Sequence, residues 1–295
     1  MLLAVLIKAE YNEQFAKEVF YVTAMSNCEA SKIPTGDCGQ ATKLTNELGM
    51  KLIYSQGNGR DVNKITKVIM RKDQDKMLYV AFSGTKNIGQ LAQEILQSYG
   101  IEYDIHPEVK DAQVMKYFYS KYVEDFRDDF LEEIKKALKL NPGYDVVFTG
   151  HSLGGAMAVQ ALADFMLLGL GEGRKVYGYT FGQPRVGNHQ FMDSFIDKVE
   201  GFYRVVHNKD LVAHIPPCVI DLSWNCRKDG WLSFYPYHSS QEIWYNDEWA
   251  DFKRCDEKEG EDSECSNSQF NNSVEDHLNY FNINIGKFLA SVISP

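Results

Sequence analysis

The stretch Gly150-His151-Ser152-Leu153-Gly154-Gly155 constrains this chain more than any other. The run before it, Asp145 to Thr149, is short, apolar and β-branched, and Pro142-Gly143 bounds it. The run after it, Ala156 to Leu168, is apolar on nearly every side. Strand, tight turn and buried helix form the setting in which G-x-S-x-G makes a nucleophile elbow. Glycines flank the serine because a side chain there would hold strand and helix apart. The helix beginning near Leu153 directs its free N–H groups at the turn, which suits an oxyanion. A bare G-x-S-x-G also arises by chance, as a glycine-rich turn without chemistry. The flanking strand and helix favour a nucleophile at Ser152.

A serine hydroxyl is a poor nucleophile until a base takes its proton, and the base needs an orienting carboxylate. On an open parallel sheet the order along the chain is Ser, then Asp or Glu, then His. The acid should lie just past a strand end. Asp210 does, four positions after Val206 in the strand-like run Phe202–Val206. Asp193 and Asp197 fall in a helical stretch, and Asp221 and Asp229 in a Cys-bracketed or Gly-rich loop. Of the later histidines, His214 shares the loop of Asp210 and can hardly reach Ser152 as well, whereas His238 and His277 both stay open. His151 is read as pointing away from the nucleophile. One oxyanion donor should be the N–H of Leu153. The other should come from Ser83-Gly84-Thr85, at the end of the run Met77–Phe82, with Thr85 as the donor residue.

The rest of the chain reads as alternating strands and helices, so parallel strands with crossover helices are expected. Helices are expected over Tyr11–Met25, Ile88–Leu96, Ala112–Leu140, His189–Lys198 and Val274–Leu289. Strands are expected over Lys64–Met70, Met77–Phe82, Ile101–His106, Lys175–Phe181, Phe202–Val206 and Gln241–Tyr245. No internal repeat or long linker divides the chain. A net charge of −10 argues against a nucleic-acid partner. No apolar run is long enough to span a membrane.

Six cysteines fall into sequence-local couples, Cys28 with Cys38, Cys218 with Cys226 and Cys255 with Cys265. The absence of C-x-x-C speaks against a zinc knuckle. Three short-loop disulfides in an oxidising compartment are the preferred reading, against six buried thiols in a cytosolic protein. One glycosylation sequon, Asn271-Asn272-Ser273, fits export. Leu2–Ile7 is short for a signal core, and no basic residue precedes it. Residues 1–10 are either a signal remnant or a leading segment, and residues 11–295 one domain.

Several further stretches resemble the class 3 lipase family, the fungal-type triacylglycerol lipases. Phe82-Ser83-Gly84-Thr85 resembles its F-R-G-S/T, and Gly150 to Gly155 its G-H-S-L-G-G. Gly182-Gln183-Pro184-Arg185-Val186-Gly187-Asn188 resembles G-x-P-R-V-G-N. Asn208-Lys209-Asp210-Leu211-Val212, with Ile215-Pro216-Pro217, resembles the stretch that carries the acid. Tyr237-His238-Ser239 resembles a Y-x-H that is not the base. Asp276-His277-Leu278-Asn279-Tyr280-Phe281 resembles the D-H-x-x-Y-F that carries it. The resemblance implies an α/β-hydrolase fold with a mostly parallel central sheet flanked by helices. It selects His277 over His238. It also implies a secreted ester hydrolase acting on lipid at a lipid–water interface, without cofactor. Ser83 stands where the family usually has Arg, which removes a guanidinium that would brace neighbouring loops. The stripe Ile88, Leu91, Ile95 and Leu96 falls where the family has its lid; a fixed surface helix is the bland alternative. The rival readings are a short-chain or aromatic esterase, a phospholipase, a silent lipid-binding protein, and a metal site from His207, Asp210 and His214. The sequence leaves the oligomeric state open.

Overall fold

The computed structural model describes residues 10–57, 64–85, 87–238, 241–256, 260–269 and 271–290; the leading run Leu2–Ile7 lies outside them. Helix α1 (Glu13–Ser26) is capped by Asn12, whose side chain accepts from the N–H of Phe15, and α2 (Gly39–Glu47) follows a short loop. Strands β1 (Met50–Gln56), β2 (Lys67–Lys72) and β3 (Met77–Phe82) pair antiparallel in succession. Then come α3 (Ile88–Leu96), a small ladder of β4 (Gly100–Glu102) and β5 (Gln113–Met115), and two helices, α4 (Lys116–Val123) and α5 (Arg127–Leu140). The central units are β6 (Asp145–His151), α6 (Leu153–Leu167), β7 (Val176–Phe181), α7 (His189–Ile196) and β8 (Gly201–His207). The chain ends with β9 (Glu242–Tyr245), β10 (Phe252–Arg254), α8 (Val274–Leu278), a hairpin of β11 (Asn279–Tyr280) and β12 (Ile283–Asn284), and α9 (Ile285–Ala290).

Eight strands form one sheet in the order β1-β2-β3-β6-β7-β8-β9-β10. The pairs from β3 through β9 are parallel, and the flanking pairs are antiparallel. Period-2 alternation sends successive side chains of each strand to opposite faces. Leu78, Val80, Phe82, Val146 and Phe148 pack with α3 to α7 on one face. Tyr79, Ala81, Val147, Tyr179, Phe181 and Val205 pack with α1 on the other. Both faces are covered, which is why these strands read as nearly continuous apolar runs. The register aligns Phe82 with Gly150, and His151 with Phe181, so the ends of β3, β6 and β7 lie at one edge.

Two expected helices are broken. Ala112–Leu140 is a short strand and two helices, although Phe118, Tyr122, Phe126, Phe130, Ile134 and Leu138 are all buried as that stripe requires. The break serves a buried carboxylate: Arg127 Nε and Nη2 donate to Asp164 of α6 at 2.7 and 3.0 Å, and Tyr122 Oη donates at 2.7 Å. Val274–Leu289 is likewise interrupted. Phe281 and Asn282 have φ of 52° and 60°, left-handed values that turn the chain between Tyr280 and Ile283 and end the helix. Strand β1, at the sheet edge, is an element that periodicity did not single out.

The cysteines are joined as Cys28–Cys38, Cys218–Cys226 and Cys255–Cys265.

Candidate active site

Ser152 occupies the turn between β6 and α6 with φ 60° and ψ −129°. That region is sparsely populated for any residue with a Cβ, and it persists only where the surroundings over-determine it. The surroundings here are tight. The Ser152 N–H donates to Phe181 O at 3.0 Å. A Cβ on Gly154 would collide with the carbonyl of Phe82. The serine is 1% exposed, and its Oγ has no hydrogen-bond partner among the described residues.

Asp210 follows β8 and is wholly buried. Its two oxygens lie 2.9 Å from His277 Nδ1. Oδ1 also accepts from the Val212 N–H at 2.7 Å, and Oδ2 from the Tyr280 hydroxyl at 2.6 Å. Burial alone would raise its pKa, but the facing imidazole and the donors from His277 and Tyr280 bring it down to about 2. A carboxylate this well satisfied stays ionised and fixes Nδ1 as the protonated nitrogen of His277. The other nitrogen, Nε2, is buried and without a partner among the described residues. Gly182, with φ +55°, makes room for this pair: a Cβ there would stand 2.5 Å from Asp210 Oδ2 and 2.8 Å from His277 Nδ1.

His151 has a role that the sequence left unassigned. Its Nε2 donates to His277 O at 2.7 Å, and its ring stacks on that of His277 at 4.4 Å. Burial, then the neighbouring His277, holds its pKa down to about 3, so it stays neutral. The residue adjoining Ser152 thus braces the segment that carries His277. Tyr280 was also unassigned from sequence. Its signal was present in D-H-x-x-Y-F, but only the hairpin at 279–284 brings the hydroxyl back to Asp210.

The other histidines are committed elsewhere. His238 Nε2 donates to Ala213 O at 2.8 Å, and its own N–H donates to buried Glu261, which also pairs with Arg185 at 2.7 Å. His214 places its nitrogens on the carbonyls of Asp210 and Ser266. Asp210 faces His277, so His207, Asp210 and His214 do not converge on an ion.

The loop 83–85 runs alongside the serine, since a Cβ on Gly84 would stand 3.3 Å from Ser152 Cβ. Asn27 Oδ1 accepts from the Gly84 N–H at 2.9 Å and anchors this loop to α1. Ser83, the departure from the family pattern, closes a local pair instead of reaching outward: its N–H donates to Thr66 O at 2.9 Å and its Oγ accepts from Thr66 N at 2.8 Å. Thr85 Oγ1 accepts from the Asn87 N–H at 3.3 Å. Leu153 is the first residue of α6, where an N–H has no acceptor within the helix. In α3, Leu91 and Ile95 are buried in the same apolar cluster as Leu153; Ile88 packs against it, and Leu96 is 58% exposed.

No helix among the described residues is long and apolar enough to cross a membrane. The Lipase (class 3) family matches residues 79–220. A lipase of Caenorhabditis elegans is 32% identical over 246 residues, which span 77% of this chain and 67% of that one. The structure of the Rhizomucor miehei triacylglyceride lipase superposes with a TM-score of 0.74 at 26% identity, covering 96% of this chain and 99% of that one. A fungal lipase–inhibitor complex, described as a basis for interfacial activation in lipases, gives 0.74 at 29% identity, covering 94% and 97%. Other relatives are named as secreted mono- and diacylglycerol lipases. The chain belongs to the class 3 lipase family, and is a carboxylic ester hydrolase with the α/β-hydrolase fold.

Proposed function

We propose that this lipase cleaves acyl esters of lipids, triacylglycerols among them, with Ser152 as nucleophile, His277 as general base and then acid, and Asp210 as the orienting carboxylate. One observation carries the reading: Ser152 Oγ and His277 Nε2 are both buried and unpartnered among the described residues, while His277 Nδ1 is held by Asp210. Hydrogen bonds between nucleophile and base are often long before substrate binds.

His277 Nε2 takes the hydroxyl proton as Oγ attacks the ester carbonyl carbon. The oxyanion of the tetrahedral intermediate accepts from the N–H groups of Leu153 and Thr85, each such donor worth about 2.7–4 kcal/mol of barrier. His277 returns the proton to the departing alcohol oxygen. Water, deprotonated by the same nitrogen, then releases the fatty acid. Asp210 stays ionised throughout and stabilises the imidazolium. No step calls for a cofactor.

Helix α3 is the proposed lid. Its buried Leu91 and Ile95 seal the cleft in water, and moving them onto lipid would uncover Ser152, which is 1% exposed here. The substrate would therefore be met at a lipid–water interface. Three disulfides and the exposed Asn271 of the sequon suit a secreted enzyme. The test is chain-length profiling with the wild type and Ser152→Ala. Hydrolysis of emulsified long-chain triacylglycerol, abolished in Ser152→Ala, supports the reading. Turnover confined to short-chain, aromatic or phospholipid esters overturns the substrate assignment, and lipid binding without turnover overturns the enzyme assignment.

A further inference from the structure

Single exposed apolar residues are ordinary on a protein surface; a cluster is not. Between residues 220 and 232 the chain exposes Ile220 (48%), Leu222 (102%), Trp224 (78%), Trp231 (85%) and Leu232 (37%). The first three belong to a small stapled loop. Cys218 is bonded to Cys226, Ile220 bridges Cys226 as an antiparallel pair, and the Arg227 N–H donates to Val219 O at 2.7 Å. Leu222, Ser223 and Trp224 form its tip.

The tip has two features that a merely solvated loop does not need. Three successive backbone donors, from Ser223 to Asn225, are satisfied from within. The N–H groups of Ser223 and Asn225 both donate to Asp221 Oδ1, at 2.8 and 3.0 Å, and that of Trp224 donates to Asp221 O at 3.2 Å. Unpaired backbone groups are what make loops costly to insert into an apolar phase, and here much of that cost is already met. Second, Trp224 has φ 64°, a left-handed value that is unfavourable for a bulky residue. In this conformation the indole stands outward, 78% exposed.

We propose that the loop Cys218–Cys226, together with Trp231 and Leu232, is an anchor that inserts into the surface of a neutral lipid phase, separately from α3. Indole rings favour the boundary between water and apolar chains. The charges of the segment cancel, with Asp221 and Asp229 against Arg227 and Lys228, in a chain of net charge −10. That balance fits an uncharged or zwitterionic lipid surface, where neither sign is repelled. The patch also continues toward the lid. Phe234 lies directly over Gly100, joining the segment with Trp231 and Leu232 to the end of α3 and the residues after it, where Leu96 and Tyr99 are 58% and 57% exposed. An anchor here would hold α3 against lipid. The choice of partner rests on the lipid-ester reading of the substrate; the anchor itself rests on the loop.

The experiment uses the full chain as Ser152→Ala, so that no lipid is consumed, and measures its partition onto phosphatidylcholine vesicles and phosphatidylcholine-coated triolein emulsion. Adding Leu222→Ser with Trp224→Ser should lower partition roughly 30-fold, given the apolar area removed. Trp224→Phe should stay within about threefold of the parent, since the ring is kept. In the catalytically intact background the same substitutions should leave hydrolysis of a dissolved butyrate ester unchanged, showing that the site is folded. Unchanged partition overturns the proposal, as does an equal loss on the dissolved ester. A dimer that these substitutions dissociate would make the partner a second copy, and also overturns it. If the anchor binds but triolein is not hydrolysed by the intact enzyme, the substrate reading fails and the anchor stands. If triolein is hydrolysed and partition is indifferent to the loop, the anchor alone fails.

Discussion

Asp210 illustrates how much one side chain does here. It accepts from an imidazole, a phenol and a backbone N–H, and is fully buried. Asp210→Asn keeps the shape but favours the wrong tautomer of His277, so kcat/KM on a dissolved ester should fall on the order of 10⁴-fold with the fold intact by circular dichroism. Tyr280→Phe removes one charge-assisted bond and should cost about 1.5–3 kcal/mol in denaturant unfolding. His238→Gln, remote from the relay, should hold kcat/KM within about threefold; a loss as deep as that of Asp210→Asn would reopen the choice of base. That choice shows what residues alone could and could not tell. Ser152 was legible because its turn is local, set by neighbours within a few positions. Asp210 was legible as a carboxylate past a strand end. His238 and His277 could not be separated by position, because what distinguishes them is partners far away in sequence, Ala213 and Glu261 for one and Asp210 for the other. The roles of His151 and Tyr280 were hidden for the same reason.

At the scale of elements, α6 carries both the elbow and a buried anchor. His106, Tyr122 and Arg127 all point to Asp164, so removing that carboxylate takes away the guanidinium's buried charge partner and leaves it only the exposed Asp128 at 3.5 Å. Asp164→Ala should destabilise by about 3–5 kcal/mol, read from denaturant midpoints. The helix break at 124–126 was illegible because the apolar stripe runs through it unchanged; the cause is the contact with Asp164, not local propensity. The break after Leu278 is of the same kind, since only tertiary contact favours a left-handed Phe281. For α3, Leu91→Ser should loosen the seat of the proposed lid. Activity on dissolved ester should then rise relative to wild type, and the further rise on adding emulsion should shrink. A fixed surface helix would show neither change.

Across the whole molecule, the eight-stranded sheet is covered on both faces, and burial sets its response to acid. His151 and His238 are both held neutral by burial, His151 with a pKa of about 3 and His238 well below its ordinary value. The unfolded chain binds protons at both sites below about pH 6.5, while the folded chain does not. Stability should therefore fall as pH drops from about 6.5, by up to about 1.4 kcal/mol per pH unit for each histidine. Asp210 acts in the same direction at lower pH: its contribution is complete above the unfolded value near 4 and is lost as pH falls toward 2. Urea midpoints at pH 7 and pH 5 test this, and His238→Gln should flatten the difference. The architecture itself was largely legible, because buried parallel strands and their crossover helices leave strong apolar runs. The edge strand β1, half exposed along its length, leaves a weaker one.

The central claim is that Ser152, activated through His277, is the nucleophile. Its most direct measurement is labelling with an alkyl phosphonate ester in the presence of emulsion, followed by peptide mapping. The expected result is one equivalent on the peptide containing Ser152, with labelling strongly slowed in His277→Ala. Stoichiometric label on any other residue, or none while ester hydrolysis persists, would contradict it.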